Sequence, residues 1–260
     1  MINRRNFIVG MLGAGLAGAG AKLWAADTPF PDACVVVHRR LGGPAGWAGR
    51  RVAFITDVHY GNFFGPADAA ALNRLVRAQR PDLVAMGGDL AQTPDTDLAG
   101  FLAEWDPGCP TVFAPGNHDL GENTRGTVLR QARAGGMTIL DNARETWNGL
   151  VLVGLPSALR RRQDLALLEA PGLKLVLGHE PDVWPSFAQP DLFQLAGHTH
   201  GGQVRLLGRP LALPELGRVY PLGEYTTGDN RGLFVSAGIG CVDARMRVNC
   251  PPEIIVLEMT

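Results

Sequence analysis

The residues of this 260-residue chain that could do chemistry fall in five short stretches. These are "ITDVHYG" with Asp57 and His59, "GGDL" with Asp89, "PGNHD" with Asn117, His118 and Asp119, "LGHEPD" with His179, and "LAGHTHGGQ" with His198 and His200. Their carboxylates, carboxamide and imidazoles are oxygen and nitrogen donors of the kind that hold manganese, iron or zinc, and no thiolate stands among them. Taken singly, each stretch has a plain structural reading, such as an aspartate capping a helix or a Gly-Asn pair in a turn. Taken together, with five of the six histidines in the set and a glycine directly beside Asp89, Asn117, His179, His198 and His200, they read as one metal site.

Such a site needs elements that bring the donors together, and the apolar runs supply them. "RVAFITD", "PDLVAMGGD", "TVFAPGN", "GMTIL", "GLVLVGL", "LKLVLGH", "DLFQLAG", "GLFVSAG" and "EIIVLEM" read as strands, preceded by "ACVVVHRR". Ala67 to Gln79, Glu122 to Arg133 and Gln163 to Leu168 read as helices. The donors follow the strands at their carboxyl ends, where α/β sheets hold ligands, and strand alternation would aim Asp57 and His59 the same way. "RLGGPAGWAG" around Trp47 reads as a turn, and His38 as structural. No repeat or long linker divides the chain, so one α/β domain is expected over residues 27–260.

Composition narrows the partners. The formal charge is -1 and 46% of residues are hydrophobic. With a sequence pI of about 6.6, nothing favours nucleic acid held by bulk electrostatics, and a nuclease would need a basic track. Residues 1–26 carry Arg4 and Arg5, then Phe7, a Gly/Ala-rich apolar stretch, Lys22 and closing alanines. This resembles a twin-arginine export signal, with a membrane anchor as the alternative; it implies passage through the twin-arginine translocase to the periplasm or cell envelope. Loss of the segment would take three cations and no acid, moving the charge from -1 to -4. Cys34, Cys109, Cys241 and Cys250 form no C-x-x-C pair; a Cys241–Cys250 disulfide and four small buried side chains are both open.

The order D-x-H, G-D, G-N-H-D, H, G-H-x-H resembles the calcineurin-like metallophosphoesterase superfamily from Arg51 to the carboxyl terminus, and "RVNCPPEIIVLEM" is similar to its exported bacterial branch. The resemblance implies a four-layer α/β/β/α sandwich with two divalent or trivalent metal ions between the sheets. It assigns Asp57, His59 and His200 to one ion, Asn117, His179 and His198 to the other, and Asp89 to both. A metal-bridging hydroxide would attack phosphorus, with His118 near the leaving oxygen as general acid or stabiliser. Asp119 would either orient His118 or cap a helix. Gly197, Gly201 and Gly202 would let the backbone close up under the two metals, as would Gly87, Gly88 and Gly116.

Departures bear on substrate. "GGDLAQTP" lacks the arginine of the protein serine/threonine phosphatase motif, and Pro156 and Ser157 stand where exported relatives often carry two acids. Arg160, Arg161 and Arg162 could hold a diphosphate or anionic headgroup or form a solvated loop, and Tyr220 and Tyr225 could line a cleft or pack. The expected function is a phosphohydrolase, more a phosphodiesterase than a phosphomonoesterase, acting on a nucleotide, sugar-nucleotide or phospholipid-like ester, in the last case at a membrane surface. The intact ligand set disfavours the alternative of a non-catalytic binding protein on the same fold.

Overall fold

The computed structural model describes residues 23–24, 30–121, 126–227 and 230–260. In chain order the strands of the first sheet are β1 (Val35–Leu41), β2 (Arg51–Ile55), β3 (Leu83–Met86), β4 (Thr111–Phe113) and β5 (Thr138–Ile139). Those of the second are β6 (Ala143–Trp147), β7 (Leu150–Leu155), β8 (Lys174–Gly178), β9 (Leu192–Ala196), β10 (Gly223–Thr227) and β11 (Arg231–Val235), and β12 (Glu253–Met259) returns to the first. The spatial orders are β1-β12-β2-β3-β4-β5 and β10-β11-β9-β8-β7-β6. From β2 through β5 and from β11 through β7 neighbours are parallel, so their carboxyl ends lie on one side of each sheet. Near-continuous Val, Leu and Ala in these strands suit sheets covered on both faces.

Alternation divides each strand between two cores. Val52 and Phe54 of β2 join Leu152, Leu175, Leu177 and Leu195 between the sheets, whereas Ala53 and Ile55 face the helices. These helices are α1 (Pro66–Ala78), α2 (Ala99–Glu104) and α3 (Thr127–Ala134). Proline opens α1 and the Asp68 carboxylate accepts from the Gly65 N–H at 3.0 Å, closing its first turn. Its buried Ala69, Leu72 and Val76 recur at helical spacing. The outer face of the second sheet is covered by 3₁₀ turns, Leu165–Glu169 and Pro181–Ser186, with Trp184 and Phe187 buried. The expected sandwich is therefore present, with a fourth layer of tight turns in place of α-helices.

Several local expectations are refined. Helix α3 begins at Thr127, and residues 122–125 of the expected helix lie outside the described residues. The stretch after β1 holds a 3₁₀ turn, Ala45–Trp47, that sends β1 and β2 to opposite sides of β12. Trp47 is buried between the sheets and donates its Nε1–H to the Trp147 carbonyl at 2.5 Å. His38 pairs with Glu258 at 3.4 Å on an exposed face. All four cysteines are free, so the Cys241–Cys250 disulfide is not formed; Cys250 is buried, its Sγ 3.2 Å from the His200 carbonyl. Of the expected signal, Leu23–Trp24 pairs antiparallel with Arg247–Val248, and residues 1–22 lie outside the described residues. No helix among the described residues is long and apolar enough to cross a membrane.

Because Trp47 fills the gap between the sheets and satisfies a carbonyl of the opposite sheet, Trp47→Ala is expected to destabilise the fold by about 3–5 kcal/mol. A urea unfolding midpoint unchanged from the parent would contradict this.

Candidate metal centre

The donors emerge from five strand ends, β2, β3, β4, β8 and β9, but not as continuing strands. Strand β2 stops at Ile55, and Asp57 and His59 follow with φ of 54° and 51°. Asp89, His198 and His200 are also left-handed, at 51°, 68° and 49°. Alternation therefore does not aim Asp57 and His59, as the sequence pattern suggested; left-handed residues turn the loops after β2, β3 and β9 back over the sheet edge. Each such non-glycine residue costs on the order of 1 kcal/mol, and five of the seven donors carry that cost.

Glycines allow the loops to close. A Cβ on Gly197 would lie 2.1 Å from Asp57 Oδ2, and one on Gly116 would lie 2.2 Å from Asp89 Oδ1. Neither has a positive φ; close approach is what excludes a side chain there. The "GNHD" turn thus contains no left-handed residue, contrary to its reading as a positive-φ turn.

The donors converge as two groups joined by Asp89. The first comprises Asp57, His59 and His200: His59 Nε2 is 3.1 Å from His200 Nε2, which is 3.4 Å from Asp57 Oδ1. The second comprises Asp89, His179 and His198, with His179 Nε2 at 3.2 Å from Asp89 Oδ2. His59 Nε2 lies 3.7 Å from the same Asp89 oxygen, so this carboxylate reaches both groups. Asn117 Oδ1 is buried without a hydrogen-bond partner, and His179 Nε2 is buried with only its ion pair to Asp89. Buried polar atoms are ordinarily paired. An unpaired carboxamide oxygen beside a cluster of carboxylates and imidazoles fits metal ions.

The surrounding bonds orient the imidazoles in the manner of metal ligands. His179 Nδ1 donates to the Gly87 carbonyl at 2.8 Å, His198 Nε2 to the Glu215 carbonyl at 2.8 Å, and His59 Nδ1 to Gln92 Oε1 at 3.1 Å. Each leaves the opposite nitrogen toward the cluster. His200 is backed by Arg247, whose Nη2 lies 3.3 Å from Nδ1 and also donates to the carbonyls of Ala237 and Gly240. Burial, His59 and Arg247 hold His200 well below the usual imidazole range, and burial brings His59 down to about 4. Both are neutral near pH 7, as ligation requires.

The carboxylates diverge. Burial pushes Asp57 up to about 6 against the opposing charge of His179. Burial acts upward on Asp89 too, but His179, His59 and His118 outweigh it and hold this carboxyl below its ordinary range. His179 is correspondingly raised, because Asp89, Asp57 and Glu180 overcome its own burial. In the metal-free protein the His179 proton supplies the positive charge that a cation would bring, and metal binding must release it.

His118 is partly exposed at the edge of the first group, its ring edge-on to His59 at 4.7 Å between centroids. Its Nδ1 donates to the Gln92 carbonyl at 2.8 Å, which leaves Nε2 free to act on a bound ester. Asp119 neither orients His118 nor caps a helix. It is buried and accepts from Ala91 N and Gly116 N, both at 2.9 Å, tying the Asp89 loop to the Asn117 loop. Burial, then Asp89, raises it to about 7. Gln92 and Arg247 were not singled out from the sequence. Gln92 holds His59 with its side chain and His118 with its backbone, yet three positions after Asp89 it has the look of any loop glutamine.

None of the other candidates lines the cleft over the donors. Tyr220 packs against Trp184 and Tyr225 on the outer face of the second sheet. Arg160, Arg161 and Arg162 are exposed: Arg161 pairs with Asp141, and Arg160 donates to the Asn117 carbonyl at 3.2 Å. Ser157 is buried and donates to Glu180, the residue after the ligand His179. Above the donors opens a cleft of about 820 Å³. Its floor includes His59, Asp89, Asn117, His118, His198 and His200; its walls are mostly apolar.

A mixed α/β sandwich holding paired His/Asp clusters at its strand ends defines a dimetal phosphoesterase architecture. The family model for calcineurin-like phosphoesterases matches residues 50–202, and the chain belongs to that family. It is 28% identical to an uncharacterized metallophosphoesterase, YkuE, of Bacillus subtilis, over 99% of this chain and 98% of that one. It is 30% identical to the phosphodiesterase YaeI of Escherichia coli, over 80% and 82%. A dimetal phosphatase from Danio rerio shares the fold at a TM-score of 0.50 and 12% identity, covering 80% of this chain and 98% of that one.

Two substitutions separate the supports from the donors. Gly197→Ala forces a Cβ onto Asp57 and should lower metal content at least about tenfold, read by elemental analysis of the folded protein. Asp119→Ala leaves two buried N–H groups unpaired and should cost about 2–5 kcal/mol of stability; an unaltered thermal midpoint would refute that role.

Proposed function

We propose that the protein is a phosphodiesterase whose two metal ions are held by Asp57, His59 and His200 and by Asn117, His179 and His198, with Asp89 shared. The observation that carries this reading is the convergence of seven donors, among them the buried, unpaired Asn117 Oδ1, beneath an open cleft that five of them line. Bound there, such ions supply Lewis acidity toward a phosphoryl oxygen and acidify a water molecule. The chain's own contribution is orientation. Gln92 fixes His118 so that Nε2 can give a proton to, or hydrogen-bond, the departing ester oxygen, and the loops crossed by Asp119 keep Asn117 and Asp89 in register.

Support for a diester over a monoester comes from the cleft. Among the described residues no lysine or arginine lines it to hold the second charge of a monoester, and the apolar wall offers room for a substituent on the other ester oxygen. Substrates of this kind include nucleotide, sugar-nucleotide and phospholipid-like esters. The amino-terminal sequence supports export through the twin-arginine translocase to the periplasm or cell envelope.

With manganese, zinc or iron supplied, bis-(p-nitrophenyl) phosphate should be hydrolysed faster than p-nitrophenyl phosphate. His118→Ala should lower kcat by about 10²–10⁴ with metal content retained, and Asp89→Asn should lose metal and turnover together. Full activity in a pure, metal-loaded His118→Ala protein would sink the role given to that residue. Changing Arg4 and Arg5 together to lysine should block export of a reporter fused to residues 1–26; undiminished export would remove the translocase from the account.

A further inference from the structure

The wall of the cleft continues into a small hairpin whose chemistry the reaction does not use. Arg205–Leu206 pairs antiparallel with Arg209–Pro210, and Leu211 N donates to the Val204 carbonyl at 3.0 Å, extending the ladder by one pair. Opposed residues in such a ladder share a face and neighbours alternate. Val204, Leu206, Arg209 and Leu211 therefore lie on one face, and Val204 and Leu211 line the cleft.

The hairpin turns at Leu207 and Gly208, both left-handed at φ 50° and 78°. Two-residue turns of this kind favour Asn-Gly, because a branched side chain is strained there. Here the first position is a leucine that is 99% exposed. The turn geometry accounts for the positive φ but not for a bare leucine at that position. Among the described residues five large hydrophobics are exposed, and three of them, Leu207, Leu211 and Val219, fall in the segment 204–219. That segment carries Arg205, Arg209 and Arg218 against a single acid, Glu215, in a chain whose formal charge is -1.

We infer that this hairpin is a membrane-docking element, which sets the mouth of the cleft against an anionic lipid surface so that the ester attacked is one carried by a lipid. The inference rests on the phosphodiesterase reading and names its substrate class. Leu207 inserts among the acyl chains while Arg209 meets the headgroups, the pairing by which interfacial segments hold to anionic bilayers. The apolar face through Leu206 and Leu211 then leads from the lipid to the metal floor.

The test compares the full chain with its Leu207→Asn and Arg209→Glu variants, so that the amino-terminal segment contributes equally to all. Asparagine suits a left-handed turn, so Leu207→Asn should fold at least as stably as the parent. Binding is measured by cosedimentation with vesicles of phosphatidylcholine, alone or with phosphatidylglycerol. Retention of the parent on the mixed vesicles is expected, with Leu207→Asn weakening it about tenfold, the scale of one buried leucine side chain. Arg209→Glu should remove the preference for phosphatidylglycerol. Hydrolysis of soluble bis-(p-nitrophenyl) phosphate should be the same in all three proteins. Equal retention of parent and Leu207→Asn, or no retention of the parent, overturns the docking inference while leaving diesterase activity to stand. Leucine-dependent binding without diester turnover upholds the docking surface and rejects the phosphodiesterase reading.

Discussion

Two fully buried carboxylates, Asp57 and Asp89, share one site, and they can be charged together only if positive charge lies between them. The fold answers this within its own residues by splitting them: Asp57 is pushed up to about 6 while Asp89 is held down by the raised His179. Much of the remaining architecture follows from that constraint. Neutral imidazoles, an unpaired carboxamide oxygen and an arginine behind His200 leave the cluster arranged for cations that displace a proton.

Holding such a cluster requires a backbone that regular strands cannot provide. A strand places successive side chains on opposite faces, whereas the centre needs donors from five loops aimed at one volume. Left-handed aspartates and histidines bend the loops inward, and Gly197 and Gly116 let them touch. The strain is sustained because the parallel strands behind the loops are locked between two apolar cores, one against the helices and one against the opposing sheet. Asp119 shows how economical the bracing is, since a single buried carboxylate joins the loops that carry Asp89 and Asn117.

The cleft above the donors has two unlike sides. One side carries five of the candidate metal donors and His118; the other is an apolar wall that runs outward to the hairpin around Leu207. A phosphoester between them would present its phosphorus to the floor and its organic substituent to the wall. Membership of the family accounts for the floor, while the wall and hairpin belong to the loops after "GHTHGGQ".

The sequence alone named the candidate donors, because carboxylate, amide and imidazole side chains after apolar runs are a chemical statement that needs no coordinates. It also determined most strands and the α1 helix, since alternation and helical spacing are local properties of the chain. Only the tertiary structure decided how the donors meet. The left-handed conformations of Asp57 and His59 depend on contacts with the Asp89 loop, through bonds from their N–H groups to the carbonyls of Gly88 and Asp89. The roles of Gln92, Asp119 and Arg247 depend on partners distant in sequence, so residue type could not assign them. The same holds for the exposed Leu207, which reads in the sequence as one more β-former and is bared only because the hairpin turns at it.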